Sequence, residues 1–169
     1  MKIEQKIGVV GNGFVGGAVK FGFSPSVGCD AEVRVYDKNP NKSTHTLEET
    51  VNESDFIFLS VPTPANEDGS INISVLEEAL HDINKVHEGK DNAILIRSTV
   101  IPGTTWALQT KYPHLNILFN PEFLTERSAN FDFINQSRFI IGNNGKQLSY
   151  MKSEEFVELI KYRFGDCVA

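Results

Sequence analysis

Two carboxylates, Glu122 and Glu126, share the short run Asn120-Pro121-Glu122-Phe123-Leu124-Thr125-Glu126. Acids placed this way can orient a water, accept a proton or bind a sugar hydroxyl. Another role also fits Glu122: Pro121 can open a helical turn, and an acid near that turn's N-terminus is favoured by the helix dipole. Far upstream, Gly11-Asn12-Gly13-Phe14-Val15-Gly16 has the GxGxxG spacing of a pyrophosphate-cradling turn. In that motif Gly11 permits the tight turn, Gly13 admits the ligand close to the backbone, and Gly16 lets a helix pack against the sheet. The anion sits at a helix N-terminus, where free N–H groups and the dipole favour negative charge.

Both loops must reach one rim, and the elements between them supply a way. Strand-like runs at Lys6–Val10, Glu32–Tyr36, Phe56–Ser60, Ala93–Arg97, Ile117–Phe119 and Arg138–Ile141 alternate with helical patterns. This alternation predicts an α/β fold, a doubly wound parallel six-stranded sheet. Ser74-Val75-Leu76-Glu77 reads as a capping-box start, with Leu76, Ala79, Leu80 and Ile83 on one face. Thr46-Leu47-Glu48-Glu49 reads as a shorter helix start, and a last helix runs from about Ser153 to Phe164 with Phe156, Leu159, Ile160 and Phe164 facing the core.

Open α/β sheets bind ligands beyond the carboxyl ends of their strands, where four of these loops emerge. The second strand ends in Asp37, which stands 21 residues after Gly16. Asp37 can accept hydrogen bonds from a ribose and repel a 2′-phosphate, which favours NAD over NADP; as a turn residue it would merely precede Asn39-Pro40-Asn41. Lys38 and Lys42 can flank the adenosine side or simply be solvated. In Ser60-Val61-Pro62-Thr63-Pro64 two prolines stiffen the loop and fix the Thr63 hydroxyl. In Arg97-Ser98-Thr99-Val100-Ile101-Pro102-Gly103-Thr104, Ser98 or Thr99 can face the cleft, although both loops also suit ordinary turn and capping chemistry.

A chain of 169 residues supports one domain with a substantial core. Its net charge of -6 argues against a nucleic-acid or acidic-membrane partner, so a bound anion must be held locally. Cys29 and Cys167 form no CxxC or Cys/His cluster, and His45, His81, His87 and His114 lack metal-ligand spacing, so no metal site is expected. The start, Met1-Lys2-Ile3-Glu4-Gln5-Lys6, is not a signal peptide, and no apolar run approaches the ~20 residues of a membrane span. A cytoplasmic location is the expectation.

Taken in order, Gly11–Gly16, Asp37 with Lys42, Ser60-Val61-Pro62-Thr63-Pro64, Ser98-Thr99-Val100 with Pro102-Gly103-Thr104-Thr105, Asn120-Pro121-Glu122-Phe123-Leu124 and Arg138-Phe139-Ile140-Ile141-Gly142 resemble the UDP-glucose/GDP-mannose dehydrogenase family. The resemblance covers about residues 6 to 142. It implies a Rossmann fold in an enzyme that oxidises the C6 alcohol of a nucleotide sugar to a carboxylate by two hydride transfers to NAD. The family has an N-terminal NAD-binding domain, a long central helix and a C-terminal nucleotide-sugar domain. The whole of this chain, residues 1–169, reads as the first of these, the other two being absent. By motif, Gly11, Gly13, Phe14, Val15 and Gly16 would hold the cofactor, Asp37 and Lys42 would contact the adenosine ribose, and Thr63, Thr99 and Glu126 would line the cofactor. Thr99 and Glu122 would position the water of the hydrolytic step, with Glu122 as general base.

The family traps its aldehyde on a cysteine thiolate, whose motif this sequence lacks; Cys29 precedes the second strand and Cys167 is near the chain end. Arg127 and Gln136 replace the usual glycine and proline. Lys161 superficially matches a catalytic lysine, but Gly165 stands where asparagine is expected, and an amphipathic last helix accounts for the segment. The expectation is therefore an NAD-binding domain of a nucleotide-sugar oxidoreductase that is inactive without a second half. Its partners would be a dehydrogenase second half or further copies of itself, with the sugar nucleotide bound only in the completed enzyme. The alternative is a stand-alone, non-catalytic NAD-binding or regulatory module. A 3-hydroxyacid dehydrogenase would explain Gly11–Asp37 but not the loop at Asn120.

Overall fold

Among the described residues five parallel strands form: β1 (Lys6–Val10), β2 (Glu32–Tyr36), β3 (Phe56–Leu59), β4 (Ala93–Ile96) and β5 (Ile117–Phe119). The computed structural model describes residues 6–29 and 31–165; Met1–Gln5 and Cys167 lie outside them. The strand order is β2-β1-β3-β4-β5. Val10 pairs with Tyr36 and with Leu59, and Leu59 pairs with Ile96, so the carboxyl ends finish at one rim. The order reverses between β1 and β3, which makes their carboxyl ends the switch point where such sheets bind ligands.

β3 and β4 are buried along their whole length, as parallel strands covered on both faces must be. One face packs α1 (Phe14–Gly22), α5 (Ala129–Ile134) and α6 (Gln147–Phe164), with Phe23, Phe58, Phe133, Phe139 and Phe156 in its core. The other packs α2 (Leu47–Asn52), α3 (Ser74–Val86) and α4 (Thr104–Lys111), with Val51, Leu76, Leu80, Ile83 and Leu108 against Ile57, Leu59, Ile94 and Ile96. This is the doubly wound parallel fold expected from the alternation.

Among the described residues the sixth strand forms no ladder. Arg138–Ile141 carries no ladder, and the edge of β5 holds a single antiparallel bridge between Phe119 and Gly142. Its apolar residues are used otherwise: Phe139 enters the core beside Phe133 and Phe164, and the Ile140 carbonyl accepts the Asn120 amide at 2.8 Å. The capping box at Thr46 is present in both halves, Thr46 Oγ1 accepting the Glu49 N–H at 3.2 Å and Glu49 Oε2 accepting the Thr46 N–H at 2.8 Å. The one expected at Ser74 is absent: Ser74 is already helical, and Asn72 Oδ1 takes its N–H at 2.9 Å. Helix α6 begins six residues before the expected Ser153, because the Asn143-Asn144-Gly145 turn starts it, with Asn144 N–H donating to Ser149 Oγ at 3.1 Å.

Candidate functional site

The turn after β1 is shaped by its glycines. Gly11 adopts φ 91° and donates to the Tyr36 carbonyl at 2.9 Å, and a Cβ there would collide with the Ser60 carbonyl across the switch point. A Cβ on Gly16 would strike the Gly11 carbonyl oxygen, so α1 rests directly on the turn. Gly13 is different: it caps α1, and a Cβ there would meet nothing within 4 Å. That open face at a helix N-terminus is where an anion is best stabilised.

Asp37 is bound into this turn. Its Oδ2 accepts the Asn12 N–H at 2.7 Å and its Oδ1 accepts the Asn39 N–H at 2.8 Å. The Asn12 side-chain amide in turn donates to the Lys42 carbonyl at 2.8 Å, tying the turn after β2 to the glycine loop. A cavity of about 350 Å³ opens here, lined by Gly11, Gly13, Asp37, Lys38 and Lys42 together with Leu47, Val75 and Ala79. At its rim the Lys38 ammonium lies 2.6 Å from Glu78, whose carboxylate raises the lysine above its ordinary range.

A second cavity of about 400 Å³ shares Gly13, Ser60, Val61 and Pro62 with the first, so the two form one cleft over the switch point. It adds Phe14, Val15, Thr63, Arg97, Ser98, Thr99 and Glu122. Thr63 Oγ1 donates to the Thr99 carbonyl at 2.9 Å, and Ser98 Oγ donates to the Val61 carbonyl at 2.6 Å, so the loops after β3 and β4 brace each other. Glu122 Oε2 accepts the Leu124 N–H at 2.6 Å. Asn120 starts this loop fully buried: its backbone N–H donates to the Ile96 carbonyl, and its side-chain Oδ1 accepts from Arg97 Nη1.

The structure thus brings Gly11, Gly13, Phe14, Val15, Asp37, Lys42, Thr63, Thr99 and Glu122 to one cleft, with Gly16 buried beneath it. Glu126 is placed apart, exposed on the short turn Glu126–Ser128 and outside the lining of either cavity. Lys161 lies on the surface of α6, 3.3 Å from Glu158. Cys29 is buried in the core ahead of β2, at the end of the sheet opposite the cleft. Asn12, Asn120 and Arg97 were not expected at the site. A charged residue ends the all-apolar run Ala93–Ile96, a pattern that by itself suggests an exit to solvent rather than a buried site.

Burial sets the state of Arg97. It pushes the guanidinium down to about 10, opposed by the negative charge of Glu122, so the group stays cationic at neutral pH. Among the described residues no group of three or more His, Cys, Asp or Glu side chains is placed to hold a metal ion. No helix among them is long and apolar enough to cross a membrane.

Comparison with known proteins places this arrangement. The sequence profile described as the UDP-glucose/GDP-mannose dehydrogenase family, NAD binding domain, matches residues 36–160. The UDP-glucose 6-dehydrogenase of Rickettsia prowazekii is 33% identical over 124 residues, which is 71% of this chain and 28% of that protein. The structure of GDP-mannose dehydrogenase from Pseudomonas aeruginosa superposes with a TM-score of 0.77 at 20% identity, covering 94% of this chain and 44% of that one. A UDP-glucose dehydrogenase from Pyrobaculum islandicum gives 0.76 at 23% identity, covering 98% and 45%. The chain therefore spans less than a third of the curated relatives it matches and under half of these solved chains.

Proposed function

The chain belongs to the UDP-glucose/GDP-mannose dehydrogenase family, as its NAD-binding part, and from that premise we propose how its cleft is used. The adenosine half of NAD lies in the cavity at Asp37 and Lys42, the pyrophosphate crosses Gly13, and the nicotinamide end enters the cavity of Thr63, Thr99 and Glu122. The observation that carries this is the continuity of the two cavities through Gly13, with a ribose acceptor at one end and the paired threonine loops at the other. The cradle suits the group, since Gly13 leaves open space at the N-terminus of α1 while Gly11 and Gly16 let that helix sit close.

Bound there, NAD supplies a hydride acceptor. The residues of this chain do the rest of what the cleft offers. Asp37 accepts the ribose hydroxyls and disfavours a 2′-phosphate. Thr99 and Glu122 hold a water at the ring end, and Glu122 takes its proton as general base. The substrate is the C6 alcohol of a nucleotide sugar, bound only when a second half completes the site. Cys29 is buried away from the cleft and cannot trap an aldehyde. The compartment we assign is the cytoplasm.

Calorimetric titration with NAD+, NADP+ and then UDP-glucose tests this reading. NAD+ binds below the millimolar range and more tightly than NADP+, and UDP-glucose yields no NADH from the 169-residue protein alone. Absence of NAD+ binding would sink the cofactor assignment; NADH production from UDP-glucose would overturn the need for a second half.

A further inference from the structure

Under the second cavity lies a buried cation with no carboxylate paired to it among the described residues. Of the cations buried among the described residues, Arg34 reaches Glu32 and Glu53, and Lys152 reaches Asp91 and Glu155. Arg97, 2% exposed, has no carboxylate within 4.0 Å among those residues. Its Nη1 donates to Asn120 Oδ1, while Nε and Nη2 have no partner among the described residues. The rings of Phe58 and Phe133 lie 5.8 and 5.6 Å from its Cζ and keep water from the guanidinium. Glu122, the acid on the same cavity, gives an oxygen to the Leu124 N–H instead. Burying an ion without a paired carboxylate is costly to the fold, and its field is poorly screened in the direction of the cavity.

We propose that Arg97 sets the redox poise of the bound cofactor: its charge beneath the ring end of the cleft disfavours the cationic oxidised nicotinamide and favours the neutral reduced one. Hydride transfer moves two electrons and a proton from the alcohol carbon to the ring, the hydroxyl proton passes to a base, and the ring's charge falls from +1 to 0. A positive charge held below the ring therefore draws the hydride onto it. The effect acts through space and needs no contact with the enclosed Nε and Nη2. The proposal rests on the placement of the nicotinamide end in this cavity. A purely structural Arg97, clamping β4 to the loop at Asn120, would hold the loop without distinguishing the two oxidation states.

The test is a set of dissociation constants for NAD+, NADH and ADP-ribose, measured on the wild-type chain and on Arg97→Met, Arg97→Lys and Glu122→Gln. The wild type binds NADH more tightly than NAD+. Arg97→Met narrows that preference by ~3- to 10-fold, the size expected of one partly screened charge across the cavity. Arg97→Lys retains the preference, Glu122→Gln widens it, and ADP-ribose, which lacks the ring, binds alike in all four. An unchanged NADH/NAD+ ratio in Arg97→Met overturns the proposal, as does an equal loss for ADP-ribose. Should Arg97→Met fail to fold, an unchanged ratio in Glu122→Gln overturns it instead. A wild-type chain that binds neither NAD+ nor ADP-ribose refutes the cofactor reading rather than the role of Arg97.

Discussion

Replacing Asp37 by alanine tests both the stability and the recognition built into the turn after β2. The carboxylate accepts two backbone N–H groups, from Asn12 at 2.7 Å and Asn39 at 2.8 Å. Hydrogen bonds to a charged acceptor contribute ~1.5–3 kcal/mol each when buried, and the half-exposed position of Asp37 lets water replace part of this, leaving about 1 kcal/mol apiece. A loss of about 2 kcal/mol lowers Tm by roughly 4–8 °C in a domain of this size. On the proposed reading Asp37 is also the acceptor of the ribose hydroxyls, so its loss lowers NAD+ affinity by roughly 10- to 100-fold, or about 1.4–2.8 kcal/mol. NADP+ loses less, because the repulsion of its 2′-phosphate disappears with the carboxylate, and the two cofactors converge. Differential scanning calorimetry and titration of both cofactors give the two readouts on one preparation. An Asp37→Ala protein that melts early yet binds NAD+ within twofold of wild type would refute the ribose assignment. One that loses affinity without losing stability would refute the bracing of the glycine loop.

Other perturbations address the remaining parts of the fold. Gly16→Ala drives a methyl into the Gly11 carbonyl and to 3.1 Å from Val9 Cγ1; we expect a cost of about 1–3 kcal/mol and at least a tenfold loss of NAD+ affinity, read by melting and titration. Thr46→Ala removes the capping box of α2 and lowers stability by about 1 kcal/mol in urea unfolding, with no change in cofactor affinity. Asp132 is held below its ordinary value of 3.8 by the Thr125 N–H and then the Ser128 hydroxyl, and Glu49 below 4.5 by the Thr46 N–H and then its hydroxyl. Their folded values lie below the unfolded ones, so they stabilise the fold fully above about pH 4.5 and lose that contribution as the pH falls through the folded values. Urea midpoints measured from pH 6 downward should fall less steeply for Asp132→Asn than for wild type, and parallel curves would count against this account.

What could be read in the sequence was what local chemistry or burial on two faces dictates. The strands up to β5 are short, apolar and bounded by turn residues, and the glycine loop carries its geometry in its spacing, so both were legible. The Thr46 box was legible because its bonds join residues three apart. Arg138–Ile141 resembled a strand because Phe139 and Ile141 alternate, but Phe139 turns into the ring cluster of Phe133 and Phe164, a contact made by distant segments. The first turns of α6 carry Leu148, Tyr150 and Met151 on exposed positions, so no apolar stripe announces them. Glu126 pairs with Glu122 in sequence, yet the turn at Glu126–Ser128 leaves it outside the lining of the cleft. Arg97 was hidden for the opposite reason: a charge after an apolar strand suggests an exit to solvent, and only the packing of Phe58 and Phe133 shows that it stays inside.

The two faces of the sheet are finished at different moments of synthesis. Helices α2, α3 and α4 cover theirs with segments lying between β2 and β5, so that side can close as the strands emerge. On the other side Phe156 packs on Phe56 and Phe58 with ring centroids 5.6 and 5.9 Å away, and Phe164 packs on Phe23, Phe133 and Phe139. Arg163 Nε then donates to the Gly22 carbonyl, latching the end of α6 to the end of α1. A growing chain that has delivered these five strands has only α1 on this face, and Phe56 and Phe58 still lack their cover. That cover is complete only when residues 156–164 clear the ribosome, so the face beneath the glycine loop closes last, after the opposite face of the sheet.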